Sequence, residues 1–201
     1  MKKESQVIFD KNVIEFVTVA AEFCAFLERA ESMKRSTFVD TTLKILPLLY
    51  LKASMLPKCE MIGDESPETY VTEEIYEVLR INLASILAEK DDYLEVFLPD
   101  MAYSDEPIKK NISEDLADIY QDIKDFIFVF QLGLNETMND SLAICQENFG
   151  LLWGQKLVNT MRALHDVKYS PKARGEDEEE EEYEPKNNED CHCEDDDCHC
   201  H

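Results

Sequence analysis

The residues with the most specific chemistry in this chain are cysteines and histidines gathered at its C-terminal end. They form two Cys-x-Cys pairs separated by four acidic residues, and the set comprises Cys191, His192, Cys193, Cys198, His199, Cys200 and His201. In an extended segment the two thiols of a Cys-x-Cys pair point to the same side, so each pair can chelate one ion. Four thiolates make a closed tetrahedral zinc site, while Cu(I) also accepts thiolates and nickel accepts imidazoles. The ligand types therefore predict a transition-metal site for zinc, nickel or copper without choosing among them.

The tail that carries these ligands is acidic and poor in apolar residues. Residues 169–201 hold 14 acids and 3 bases. Too little apolar area is present to offset the entropy of ordering, so we expect a disordered tail. In composition it resembles the His- and Cys-rich C-terminal extensions of bacterial metal-handling chaperones. The alternative, that an acidic low-complexity tail binds metal without a biological purpose, stays open.

A second set of candidate ligands is a row of four aspartates, Asp115, Asp118, Asp122 and Asp125. Their 3-4-3 spacing, at roughly 100° per residue, lines them along one edge of a helix beside its apolar stripe. Such a row can bind magnesium, manganese or calcium if a facing helix adds oxygen ligands. Long helices need polar faces, however, and we expect this row to be a hydrated flank.

Two further carboxylate motifs begin at Glu73 and Glu89. They are Glu73-Glu74-Ile-Tyr-Glu77 and Glu89-Lys-Asp-Asp92. Together they resemble the paired motifs with which all-helical nucleotide pyrophosphohydrolases hold magnesium around a triphosphate. Residues 78–88 contain no turn residue, which predicts one continuous helix through both motifs. A rise of about 1.5 Å per residue then keeps Glu77 and Glu89 roughly 18 Å apart, too far for one magnesium cluster.

The elements that position these residues are predicted to be helices. Apolar residues recur at helical spacing through residues 1–168, and no stretch alternates cleanly with period two. We expect an all-α fold, an up-and-down bundle of about five main helices over residues 6–31, 36–56, 72–90, 113–133 and 136–168. Thr72 is predicted to cap the third helix, and Pro47 to kink or break the second. The predicted boundary separates a bundle domain, residues 1–168, from the acidic tail, residues 169–201.

Net charge limits the partners of this chain. The chain has 44 Asp and Glu and 20 Lys and Arg, which gives a net charge of -24. Residues 1–168 contribute -13 of this charge, with 30 acids and 17 bases, and the tail contributes -11. Binding to phosphate backbones and anionic lipids depends on Lys and Arg. We therefore expect neither nucleic acid nor a membrane as partner, and a basic protein partner instead.

The location predicted for the protein is the cytoplasm. Asp10, Lys11 and Glu15 interrupt any apolar run long enough for a signal peptide. The longest charge-free apolar stretch, residues 126–135, is about half of what a bilayer-spanning helix requires. Cys24, Cys59 and Cys145 are widely spaced, which is typical of reduced thiols in the cytosol.

Two stretches carry a family resemblance. They are Asp118-Ile-Tyr-Gln-Asp-Ile-Lys-Asp-Phe126 and Trp153-Gly-Gln-Lys-Leu-Val-Asn-Thr-Met-Arg-Ala-Leu-His165. Both are similar to the bacterial helical proteins of the family known as domain of unknown function 5063. The resemblance covers about residues 1–168 and implies an all-helical fold, without a catalytic residue, cofactor or partner. We predict a non-enzymatic interaction or adaptor protein. The alternatives are transition-metal handling through the tail and, least favoured, a metal-dependent nucleotide hydrolase.

Overall fold

The computed structural model describes residues 7–95 and 108–170, and these residues form a helical bundle. The helices are α1 Lys11–Glu28, α2 Arg35–Ser54, α3 Glu73–Leu87, α4 Ile112–Gln131, α5 Asn135–Asn148 and α6 Gly154–Tyr169. A π-helical turn, Phe149–Trp153, joins α5 to α6 without a break, so the two make up the fifth long helix. The all-α class and the number of main helices are confirmed. The predicted tail and its metal ligands lie outside the described residues.

Helix α4 is the centre of the bundle. It packs against α1, α3, α5 and α6, because its apolar side chains cover much of its circumference. The Phe16 ring of α1 lies between Phe126, at 5.5 Å between ring centroids, and Trp153, at 6.5 Å. Trp153 and Tyr120 are both buried, as core packing at helical spacing predicts. Fully burying each large apolar side chain contributes about 1.5–3 kcal/mol.

A short antiparallel hairpin precedes α4. Strands β1, Asp92–Glu95, and β2, Ile108–Asn111, pair with Asp92 opposite Asn111. No strand was expected from the sequence, because four-residue strands are too short to display a clean period-two alternation. Asp91 ties the hairpin to α4, since its carboxylate accepts hydrogen bonds from the Ser113 N–H and hydroxyl, both at 2.7 Å.

Helix α3 is shorter than predicted. The Thr72 hydroxyl caps it by accepting from the Ile75 N–H at 3.3 Å, which confirms the predicted start. It ends at Leu87, where Ala88 adopts a φ of 49° and a 3-10 turn follows. The continuous helix predicted through both carboxylate motifs was therefore wrong.

Helices α2 and α6 each contain a residue that is unusual in a helix, Pro47 and Gly154. Helix α2 runs through Pro47 without a break. At Gly154, directly after the π-helical turn, an added Cβ would lie 2.3 Å from the Phe149 carbonyl oxygen, so only glycine fits. The π turn also lets the Trp153 indole N–H donate to the Cys145 carbonyl oxygen at 3.0 Å. None of the described helices combines the length and hydropathy needed to cross a bilayer.

Candidate functional site

The aspartate row on α4 is not a hydrated flank, which corrects the prediction from helical spacing. Asp115 is only 4% exposed, and its carboxylate accepts a 2.5 Å hydrogen bond from the Tyr93 hydroxyl of β1. Asp118 accepts from the Tyr76 hydroxyl of α3 at 2.8 Å and forms an ion pair with Lys156 of α6. The row faces neighbouring elements because α4 is surrounded on nearly all sides.

The other two aspartates of the row hold the end of α5 and the approach to α3. Asp122 accepts from the Asn148 side-chain amide at 2.6 Å. One oxygen of Asp125 accepts from the backbone N–H groups of Tyr70 and Val71, at 2.7 and 2.8 Å. Each aspartate thus attaches a different element to α4, which is a structural use of all four carboxylates.

Burial changes the acidity of this row. Desolvation raises the pKa of Asp115 to about 6, although the hydrogen bond from Tyr93 acts in the opposite direction. Desolvation likewise raises the pKa of Asp122 and of Asp125, and the charge of Asp125 adds to the effect on Asp122. Asp115, Asp122 and Asp125 therefore hold a negative charge less readily than exposed carboxylates do.

The two carboxylate motifs, one on α3 and one after its end, are engaged in separate ion pairs. Glu77 pairs with Arg80 at 2.7 Å, and Glu89 pairs with Arg35 of α2 at 2.6 Å. Asp92 pairs with Lys109 across the hairpin at 2.5 Å. Over residues 7–95 and 108–170, no group of three or more His, Cys, Asp or Glu side chains is placed to hold a metal ion. The described bundle therefore gives the nucleotide hydrolase hypothesis no ligand set.

A second set of polar side chains, on α5, holds the long connection between α2 and α3. The Asp140 carboxylate accepts from the backbone N–H groups of Ile62 and Gly63, at 2.7 and 2.9 Å. The Asn139 amide donates to the Glu60 carbonyl oxygen at 2.8 Å, and the Gln146 side chain accepts from the Cys59 N–H at 3.0 Å. These residues were not predicted from the sequence. Their signal was a run of polar side chains at positions where α5 would otherwise bury apolar ones.

The connection fixed in this way carries a concentrated negative charge. Residues 59–79 contain seven acids and no Lys or Arg. Five of the acids are exposed and pair with no cationic side chain of the described residues; we call Asp64, Glu65, Glu68, Glu73 and Glu74 the acidic strip. By contrast, Glu15, Glu28 and Asp40 elsewhere on the surface each pair with lysine. The strip is thus an array of carboxylates without cationic partners in the described part of the chain, borne by an anchored backbone.

A small cavity lies beneath the strip. It has a volume of about 200 Å³, is partly open to solvent, and lies between residues 66–69 of the connection, α4 and α5. Phe126, Val129 and Cys145 form an apolar floor, and Asp122 and Asp125 are part of its wall.

The three cysteines of the bundle are free thiols, and burial raises the pKa of Cys24 to about 12 and that of Cys145 above its usual range.

Comparison with known proteins agrees with this architecture. A crystal structure of protein BF1032 from Bacteroides fragilis is 93% identical, with a TM-score of 0.76, over 84% of this chain and 99% of that one. No curated protein matches the chain. The family model described as a domain of unknown function, DUF5063, matches residues 7–170. The chain belongs to this DUF5063 family.

Proposed function

We propose that the protein is a non-enzymatic interaction module whose acidic strip binds a basic segment of a partner protein. The observation that carries the proposal is the density of the strip: five exposed carboxylates, all without cationic partners among the described residues, lie within residues 64–74, which contain no Lys or Arg. Uncompensated charge of one sign raises the local concentration of oppositely charged partners and speeds their association.

The anchoring of the strip supports the same proposal. An irregular connection longer than about 12–15 residues is usually either functional or disordered. This one is held at three places by Gln146, Asp140 and Asp125. A preordered array of charges loses less conformational entropy on binding than a mobile one does.

The test compares two triple variants of equal net charge. Glu65→Gln/Glu68→Gln/Glu74→Gln removes three of the five charges of the strip, and Glu22→Gln/Glu31→Gln/Asp166→Asn removes three exposed charges outside it. A partner is captured at low salt with the full chain and identified, and its Kd is then measured by calorimetry. We expect the strip variant to weaken binding about tenfold or more, the other triple to stay within about twofold, and binding of the unmodified chain to weaken with salt. Equal weakening by both triples, or no salt dependence, would refute the proposal.

A second proposal, transition-metal capture by residues 191–201, is supported by the two Cys-x-Cys pairs with their adjacent histidines. The same thiols support a cytoplasmic location, where they remain reduced and available. The bundle competes poorly for metal, because metals bind thiolates and burial raises the pKa of Cys24 and Cys145. Zinc, nickel and copper all suit the donor set.

Calorimetry with zinc under reducing conditions tests metal capture. The full chain should bind zinc stoichiometrically, and a chain lacking residues 186–201 should not. Replacing the four tail cysteines by serine should weaken binding strongly, because hydroxyls are poor zinc ligands. Equal zinc binding by the truncated chain would end this proposal.

A further inference from the structure

We propose that the cavity beneath the acidic strip receives an arginine side chain of the basic partner, with the guanidinium against Asp122 and Asp125 and the aliphatic stem on the apolar floor. This inference rests on the proposed function and adds an anchor residue to it. The cavity adjoins the strip, because the strip residue Glu68 and its neighbours Pro67 and Thr69 are part of its lining. A partner segment lying on the strip therefore passes next to it at Glu68.

The lining of the cavity fits an amphipathic cation better than a simple ion or an apolar group. Phe126, Val129 and Cys145 are buried side chains that offer hydrocarbon and sulfur surface. Asp122 and Asp125 add two carboxylates one turn of α4 apart. A long side chain with an apolar stem and a charged head matches both halves of this lining.

The two carboxylates retain capacity to accept hydrogen bonds. Asp122 receives the Asn148 amide on Oδ1, and Asp125 receives both backbone N–H groups on Oδ1. The Oδ2 atom of each accepts no hydrogen bond from the described residues. A guanidinium is planar, has five donors and is weakly hydrated, which suits it to a partly buried site with two acceptors. Its charge would also offset the repulsion between the two carboxylates.

The cavity is tested with 1-butylguanidinium as a probe, using two-dimensional ¹H–¹⁵N NMR on the full chain. 1-Butanol serves as the neutral probe with the same stem, and 1-butylammonium as the lysine-like one. We expect saturable shifts confined to the amides of residues 66–69, 122–129 and 141–148 with butylguanidinium, and weaker binding of the ammonium. Equal binding of butanol, tighter binding of butylammonium, or shifts spread over the whole surface would overturn the inference.

Variants separate the cavity from the strip. Asp122→Asn keeps the Oδ1 acceptor for Asn148 but removes the charge, and should weaken butylguanidinium binding roughly tenfold. Ile144→Trp, at the half-buried cavity wall, should block the probe. Glu74→Gln, which removes one strip charge away from the cavity, should leave probe binding within about twofold. If Asp122→Asn and Ile144→Trp leave probe binding unchanged, the cavity inference fails.

The same variants distinguish failure of this inference from failure of the proposed function. Partner binding that depends on the strip triple but not on Asp122→Asn would remove the anchor and leave the interaction module intact. Probe binding in the cavity without any dependence of partner binding on the strip would contradict the interaction proposal itself. Thermal unfolding of each variant shows whether the bundle stays folded.

Discussion

At the scale of single residues, the interior of this bundle is polar in places, and nearly every buried polar side chain is bonded. Asp91, Asp115, Asn139 and Asp140 are all buried and all form hydrogen bonds. Thr160 of α6 is the exception, since its buried hydroxyl has no partner among the described residues. An unsatisfied buried polar group costs about 1–3 kcal/mol. Residues of this kind indicate where stability can be gained.

Thr160→Val should stabilise the protein. Valine replaces the unpartnered hydroxyl with a methyl group of similar size, which removes its desolvation cost and should raise the free energy of unfolding by about 1 kcal/mol. Urea unfolding measures the change. Thr42→Val is the matched control and should not stabilise, because the buried Thr42 hydroxyl donates to the Phe38 carbonyl oxygen at 2.7 Å. A loss of stability in Thr160→Val would show that its hydroxyl is satisfied.

Ala88→Gly should also stabilise the protein. Ala88 has a φ of 49°, where a Cβ is unfavourable and glycine is not. Relief of this strain exceeds the added entropy of an unfolded glycine, so we expect a net gain of about 1 kcal/mol in urea unfolding. Ala84→Gly, in the regular part of α3, is the opposite control and should cost about 1 kcal/mol. Equal destabilisation by both substitutions would contradict strain at Ala88.

At the scale of elements, the apolar periodicity of the sequence predicted the helices. Features that depend on contacts between elements, or on a turn without glycine or proline, were not predicted. Apolar spacing located the main helices, and Thr72 marked the start of α3. The end of α3 at Leu87 was not predicted, because no glycine or proline marks the turn at Ala88. The aspartate row was located on α4 but its environment was not, because spacing does not show which elements pack against each face.

Asp140 should be required for the order of the connection that carries the acidic strip. Asp140→Ala removes two hydrogen bonds to the N–H groups of Ile62 and Gly63, and should lower the free energy of unfolding by about 2–3 kcal/mol. Amide hydrogen exchange at both residues should accelerate more than in the core. Glu147→Ala, an exposed change on the same helix, should leave exchange at Ile62 and Gly63 unaltered. Unchanged protection in Asp140→Ala would mean that other contacts hold the connection.

Asp115 should make stability depend on pH. Its pKa is raised from 3.8 to about 6, so between these values the folded chain keeps a proton that the unfolded chain releases. The contribution of Asp115 to the free energy of unfolding therefore decreases as pH rises from about 4 to above 6, by roughly 3 kcal/mol. Asp115→Asn retains an acceptor for Tyr93 and should lack this decrease in urea unfolding measured across that range. Glu22→Gln, at an exposed position, should follow the unmodified protein, and an identical profile for Asp115→Asn would contradict the assignment.

At the scale of the whole molecule, both parts of the chain carry net negative charge. Residues 1–170 carry -13 and residues 171–201 carry -11, because the tail holds 14 acids and 3 bases. Like charges repel, and the acidic strip adds a local concentration on the bundle. We therefore expect the two parts to act as independent units, one binding a basic partner and the other binding metal.

Removal of residues 171–201 should leave the bundle as stable as it is in the full chain. Every described helix and the hairpin are completed before residue 171, so no described contact is lost, and the repulsion between two negative parts is relieved. The melting temperature should change by no more than about 2 °C, which for a chain of this size corresponds to less than about 1 kcal/mol. Any change should be upward at low salt and vanish at high salt, because repulsion is screened. A fall of several degrees would show that the tail packs on the bundle and would overturn the boundary.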